Sequence, residues 1–142
     1  MISPTKTAGN SPKERNRIIS QQIKNALALI ETFATGDVEM AATLLDKNYI
    51  QHNLAYGTGR DAFVGSVQYL AQAPVRTTVQ NIRAFEDGDK VFLQSIYDFA
   101  GAGKQVAFDI FRFGEDGKIA EHWDVMETIA QPDTWANDNG KF

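Results

Sequence analysis

Asp109 interrupts one of the most apolar stretches of the chain, Phe108-Asp109-Ile110-Phe111-Arg112-Phe113. A carboxylate in such a run is costly to bury unless it is paired, protonated or used, which makes it the first candidate for chemistry. The competing reading is an ion pair with Arg112 or with a cation on another strand. Arg112 is three residues further on, hence on the opposite face of a strand, so that local pair is geometrically awkward.

A second candidate lies in Lys118-Ile-Ala-Glu-His-Trp-Asp-Val125. His122 and Asp124 are two apart, so on a regular strand they share a face, continued by Met126, while Glu121 and Trp123 take the other. The pair reads either as a proton-transfer couple, the carboxylate orienting the imidazole, or as a hydrogen-bonded polar pair at the sheet surface. Parity alone leaves both open. His52, just before a glycine loop, stands either at a pocket mouth or as an anchor for that loop.

These two histidines are the whole supply, and with Asp109 and Asp124 they could gather round a divalent ion. No local ligand motif such as HExxH is present, so neither a metal nor another cofactor is expected. The glycines of Tyr56-Gly-Thr-Gly-Arg-Asp-Ala-Phe63 match neither dinucleotide nor P-loop spacing and are read as turn chemistry.

The elements that must hold these residues follow from periodicity. Ile19, Ile23, Ala26, Leu27, Ile30, Phe33 and Ala34 recur at helical steps from about Arg17 to Thr35, and Gly36 ends the helix. A short second helix starts near Asp37. YIQHN, residues 49–53, reads as a short strand, and a third helix follows with Thr58 and Asp61 as a capping box and Pro74 as its stop. Beyond it, β-rich runs alternate with turns such as DGDK, GAGK and GEDGK, predicting a four-strand antiparallel meander. Three helices followed by a meander make an α+β domain with helices over one face of a curved sheet. Phe108 and Ile110 point to one side of their strand and Phe111 and Phe113 to the other, so both faces need cover. A second copy of the chain is the expected cover for the outer face, with Trp123 in that interface and Trp135 packing in a C-terminal extension.

At 142 residues, 43% hydrophobic and 23% charged, the chain is sized for one globular domain. Its 14 Lys and Arg residues are scattered and the net charge is −4, so no nucleic-acid partner is expected. There is no cysteine for a disulfide or thiolate nucleophile. No apolar run has membrane-spanning length. Residues 1–16 lack the apolar core of a signal peptide and are expected to be a flexible tail, with a single domain over 17–142 in the cytoplasm.

Taken together, YIQHN, the GxxAF of GRDAF, FDIFRF and DGKIAEHWDV resemble the SnoaL-like polyketide cyclase family of the nuclear transport factor 2 superfamily, in particular its predicted aldol-condensation subgroup. The resemblance spans roughly residues 17–130. It implies a cone-shaped, cystatin-like fold: a curved antiparallel sheet around a pocket closed by helices, commonly dimeric. It also implies metal-free general acid/base chemistry on a small apolar carbonyl-type ligand, in an aldol-type lyase, a cyclase or an isomerase. The superfamily includes ketosteroid isomerase, whose motif of Asp, two apolar residues and Arg is similar to Asp109-Ile110-Phe111-Arg112. By that match Asp109 points into the pocket, with His122, Asp124 and Met126 lining it.

The chain departs from the family where many relatives carry proline after the HN of YIQHN; here Leu54 follows. The isomerase's base would fall near His52 or Asn53, neither a carboxylate, and no tyrosine is placed in its oxyanion hole, so steroid isomerisation is not the first choice. The leading expectation is Asp109 as acid or oxyanion donor, His122 and Asp124 as the proton-transfer pair, and His52 at the pocket mouth. The competing class is a non-catalytic ligand-binding or dimerisation module of the same fold.

Overall fold

The computed structural model describes residues 19–142. The tail expected over residues 1–16 lies outside the described residues. Helix α1 (Gln21–Thr35) opens where the Ser20 hydroxyl accepts the Ile23 N–H at 3.0 Å. It stops at Gly36, whose φ of 75° is left-handed and whose N–H donates to the Thr32 carbonyl. A Cβ at Gly36 would also sit 2.8 Å from that of Ala71, so glycine is needed there for both conformation and space. Asp37 then caps α2 (Val38–Leu44) by accepting the Met40 N–H.

Strand β1 (Leu45–Gln51) follows α2 without a loop, starting earlier and ending earlier than the expected 49–53. Helix α3 (Arg60–Ala71) is capped at Gly59 rather than by the predicted Thr58 box. The Thr58 hydroxyl is spent elsewhere: it accepts the Gln51 N–H at 3.1 Å and donates to the Tyr49 carbonyl at 3.2 Å. It therefore ties the glycine loop to β1 and holds the end of that strand in place.

The meander is as expected: β2 (Thr78–Asp87), β3 (Lys90–Asp98), β4 (Lys104–Phe113) and β5 (Ile119–Thr128). Strand β1 joins it as a fifth member, parallel to β5, giving the order β1-β5-β4-β3-β2. Register shifts between Asn81 and Arg83 and between Arg112 and Phe113 accompany the curvature of the sheet. The concave face and the helices enclose one core that includes Leu29, Ile30, Tyr49, Phe63, Val67, Leu93 and Phe111. Each such side chain is worth about 1.5–3 kcal/mol when fully buried. This is a curved α+β cone whose sheet and helices leave space between them at one end.

On the convex face the other parity of the strands stands out. Phe85 is opposite Phe92 across β2 and β3, and Phe108 is opposite Val125 across β4 and β5. All four remain 37–70% exposed. Among the described residues no helix is long and apolar enough to cross a membrane.

Candidate active site

The space inside the cone is a cavity of about 420 Å³. Its walls are mostly apolar, with Ile30, Phe33, Phe63, Leu70, Phe99 and Met126 among them. Asp109, His122, Asp124 and Gln51 form a polar patch on its lining. None of the described residues lining it is Lys or Arg. The electrostatic character of the cavity is thus set by two carboxyl groups and one imidazole.

Strand parity places these groups. Asp109 stands opposite Asp124 across β4 and β5, and Phe111 opposite His122, so all four side chains share the concave face. His122 Nε2 lies 2.8 Å from Asp109 Oδ1. The other carboxyl oxygen, Asp109 Oδ2, accepts the Tyr97 hydroxyl at 2.8 Å. Asp109 and His122 are only 4% and 7% exposed. Burial, followed by the nearby Asp109 charge, pushes the Tyr97 phenol well above its ordinary value, so it stays protonated and donates. Phe111 stacks on the imidazole at 4.6 Å between ring centres.

The second imidazole nitrogen, Nδ1, lies 2.8 Å from Gln51 Oε1. That oxygen also accepts the Asn53 backbone N–H at 2.9 Å, while Gln51 Nε2 donates to the Tyr49 hydroxyl at 3.1 Å. Burial and then the charges of Asp109 and Asp124 raise the Tyr49 phenol too. Asp124 differs from Asp109. Its Oδ2 accepts the Asn53 side-chain amide at 3.0 Å, and its Oδ1 accepts no hydrogen bond from the described residues. Asp124 is a half-buried acid on the cavity lining, with one oxygen free of hydrogen bonds from the described residues.

The structure therefore brings together three of the four residues singled out in the sequence and rearranges their pairing. Asp109, rather than Asp124, orients the imidazole. His52 does not line the cavity. Its Nε2 donates to Glu121 Oε2 at 2.7 Å and its ring stacks on Trp123 at 4.9 Å, and both partners lie on the face opposite His122. Its placement at the pocket mouth is corrected by parity: in Tyr49-Ile-Gln-His-Asn53 it is Gln51 that accompanies His122, and Asn53 that reaches Asp124. Gln51, Asn53, Tyr49 and Tyr97 were missed. The alternation of YIQHN carried the signal, since a buried Tyr49 puts Gln51 on its own side and His52 on the other.

On the convex side Glu121 is clamped by His52 and by Arg112 Nε, which donates to Oε1 at 2.8 Å. The His52 hydrogen bond, and after it that of Arg112, hold the carboxyl below its usual range. Asp109, His122 and Asp124 each offer a ligand atom within 4.8 Å of the others, close enough to meet a cation. A cation there would have to replace the bond between Asp109 and His122.

A model of the SnoaL-like domain matches residues 26–122. The chain belongs to the SnoaL-like domain family. No curated protein sequence matches it significantly. Among solved structures it is similar to a nuclear transport factor 2-like protein of unknown function from Cytophaga hutchinsonii, at 14% identity and a TM-score of 0.65, over 78% of this chain and 94% of that one. It is also similar to IdmH from Streptomyces antibioticus, a candidate polyketide cyclase, at 21% identity and a TM-score of 0.60, over 76% and 93%. An epoxide hydrolase of the LEH-like kind from M. tuberculosis shares 15% identity at a TM-score of 0.65, over 75% and 82%. At these identities the likeness speaks to the SnoaL-like fold and not to one reaction.

Proposed function

We propose that this SnoaL-like chain is a general acid/base enzyme that enolises a neutral, largely apolar carbonyl compound, with Asp124 as the base. The observation that carries the reading is Asp124 Oδ1, a carboxylate oxygen without a protein partner among the described residues, lining a mostly apolar cavity. A carboxylate there can take a proton from the carbon next to a carbonyl, and the apolar walls exclude the water that would otherwise compete. Asn53 holds Asp124 by its other oxygen, which leaves Oδ1 free to take the proton. The enolate charge develops beside the Asp109–His122 pair, which keeps a proton between its two members.

Two outcomes share this first step. In an aldol-type condensation the enolate carbon bonds to a second carbonyl carbon, and the new alkoxide recovers the proton from Asp124. In an isomerisation the proton returns to a different carbon. The aldol outcome is favoured by the resemblance to the aldol-condensation subgroup and by the polyketide cyclase description of IdmH. Two acidic groups without Lys or Arg along the cavity favour neutral ligands over carboxylates and phosphates. The scheme needs no metal ion. The test is Asp124→Asn against a panel of neutral enolisable ketones: activity should be lost while the fold is kept.

A ligand-binding role without turnover draws on a different observation. Asp109, His122, Gln51 and Tyr97 satisfy one another, as a purely structural network would. Tight ligand binding with no proton exchange in the wild type would select that reading. In either case the proposed cover of the convex face is a second copy of the chain. Its rows of Phe85, Phe92, Phe108 and Val125 are contiguous across neighbouring strands, the form a self-complementary two-fold contact requires.

A further inference from the structure

We propose that Gln51 is a positioning residue that fixes the tautomer of His122, keeping a proton on Nδ1 so that Nε2 and Asp109 Oδ1 share the one exchangeable proton. The inference deepens the enolisation scheme, and rests on it for its catalytic meaning, but its geometry stands by itself.

The Asn53 N–H can only donate, and it meets the Gln51 side chain at 2.9 Å, so the atom facing it must be the amide oxygen. The same oxygen lies 2.8 Å from His122 Nδ1. An unprotonated Nδ1 would oppose two lone pairs across that distance, so Nδ1 must carry hydrogen. The Gln51 amide nitrogen donates away from the ring, to the Tyr49 hydroxyl, and this second bond keeps the amide from turning over.

At the other end Tyr97 donates to Asp109 Oδ2, so the remaining oxygen, Oδ1, faces Nε2. A proton must lie between them. It sits on the ring, giving an imidazolium and a carboxylate, or on the acid, giving a neutral pair; in both forms Nδ1 is unchanged. Gln51 thus directs every change of protonation to the Nε2 side, the side shared with Asp109. Asn53 serves both halves of the site, fixing Gln51 with its backbone and Asp124 with its side chain.

The test is long-range 1H–15N spectroscopy of the imidazoles in 15N-labelled protein. With only two histidines in the chain, His52→Gln, which alters a residue outside the cavity, assigns the signals. As pH is raised, the proton lost from the His122 ring should come from Nε2, with Nδ1 protonated throughout; loss from Nδ1 overturns the proposal. Asp109→Asn then leaves a neutral ring to choose, because the Tyr97 hydroxyl can turn to accept as well as donate, which lets the amide present either its N–H or its oxygen to Nε2. Retention of the Nδ1–H form is expected and the Nε2–H form overturns the proposal. Adding Gln51→Leu to Asp109→Asn should move the proton to Nε2, whereas an unchanged tautomer would remove Gln51 from the role. Gln51→Glu preserves an acceptor and should preserve Nδ1–H, even if the leucine variant does not fold. No substrate is needed, so a failure of the ketone assays would leave this result intact, and the reverse also holds.

Discussion

Asp109 Oδ1 and His122 Nε2 meet at 2.8 Å although their residues are not opposite each other; Asp109 faces Asp124 across the ladder, and His122 faces Phe111. The contact runs diagonally between β4 and β5. It leaves Asp124, the residue with the matching register, to Asn53 and the cavity.

The first expectation concerns stability. Asp109→Ala would remove, in a buried site, the carboxylate that accepts the Tyr97 hydroxyl and meets His122 Nε2. Breaking one member out of such a pair costs about 3 kcal/mol or more. Urea denaturation should show that loss, and Asp109→Asn, which preserves the shape and can keep hydrogen bonds to both Tyr97 and His122, should lose less. Equal midpoints for wild type and Asp109→Ala would show that the network adds nothing to the fold.

Acid should act through the convex face. Glu121 is held below the usual carboxylate range by His52 and Arg112, so its charged form is favoured by folding. Its contribution is present above the unfolded carboxyl value of roughly 4.3 and is lost as pH falls through the lower, folded value. Glu121→Gln should therefore lose at neutral pH the contribution that acid removes from the wild type, so its stability declines less steeply with acid and the two proteins converge at low pH. A decline just as steep in the variant would place the acid sensitivity elsewhere.

How far the sequence led is clearest at β1 and β4. The alternation of Phe108 to Phe113 predicted two covered faces for β4, because a period of two survives any packing detail, while the inward direction of Asp109 was implied only by the resemblance of Asp109-Ile110-Phe111-Arg112 to the isomerase motif. The helices were equally legible from their apolar spacing and from Gly36. YIQHN shows its alternation but not which of its faces turns inward. Its burial depends on pairing with β5, a contact some 70 residues away that no local pattern displays. Tyr97 was hidden for the same reason: it stands opposite Gln105 rather than Asp109, and only the folded sheet brings its hydroxyl along the shared face to that carboxylate.

Self-association should depend on the convex rows. Light scattering behind size exclusion should give a mass of two chains for the wild type, and Phe92→Glu combined with Phe108→Glu should give one. These side chains touch each other at 5.8 Å between ring centres and lie away from the cavity, so the fold should survive. A wild type that stays monomeric at high concentration would rule out a second copy as the cover.

Ligand charge should matter as well. A neutral aryl ketone should bind more tightly than the corresponding carboxylate of the same size, because Asp124 repels the anion and no described Lys or Arg along the cavity offsets it. Calorimetric titration of matched ester and acid pairs measures the difference. Tighter binding of the acid would contradict the charge assignment.

The central claim is that Asp124 removes a proton from carbon, and solvent exchange reads that step without requiring the natural substrate. In D2O, NMR would follow deuterium entering the α-position of neutral aryl ketones and β-diketones with wild type and with Asp124→Asn. Asn53 can still donate to the oxygen of the new amide, so the variant should melt within about 1 kcal/mol of wild type. Loss of a general base should slow exchange by about 10²-fold or more. Exchange at equal rates in both proteins, with the fold intact, would contradict the assignment of Asp124 as the base.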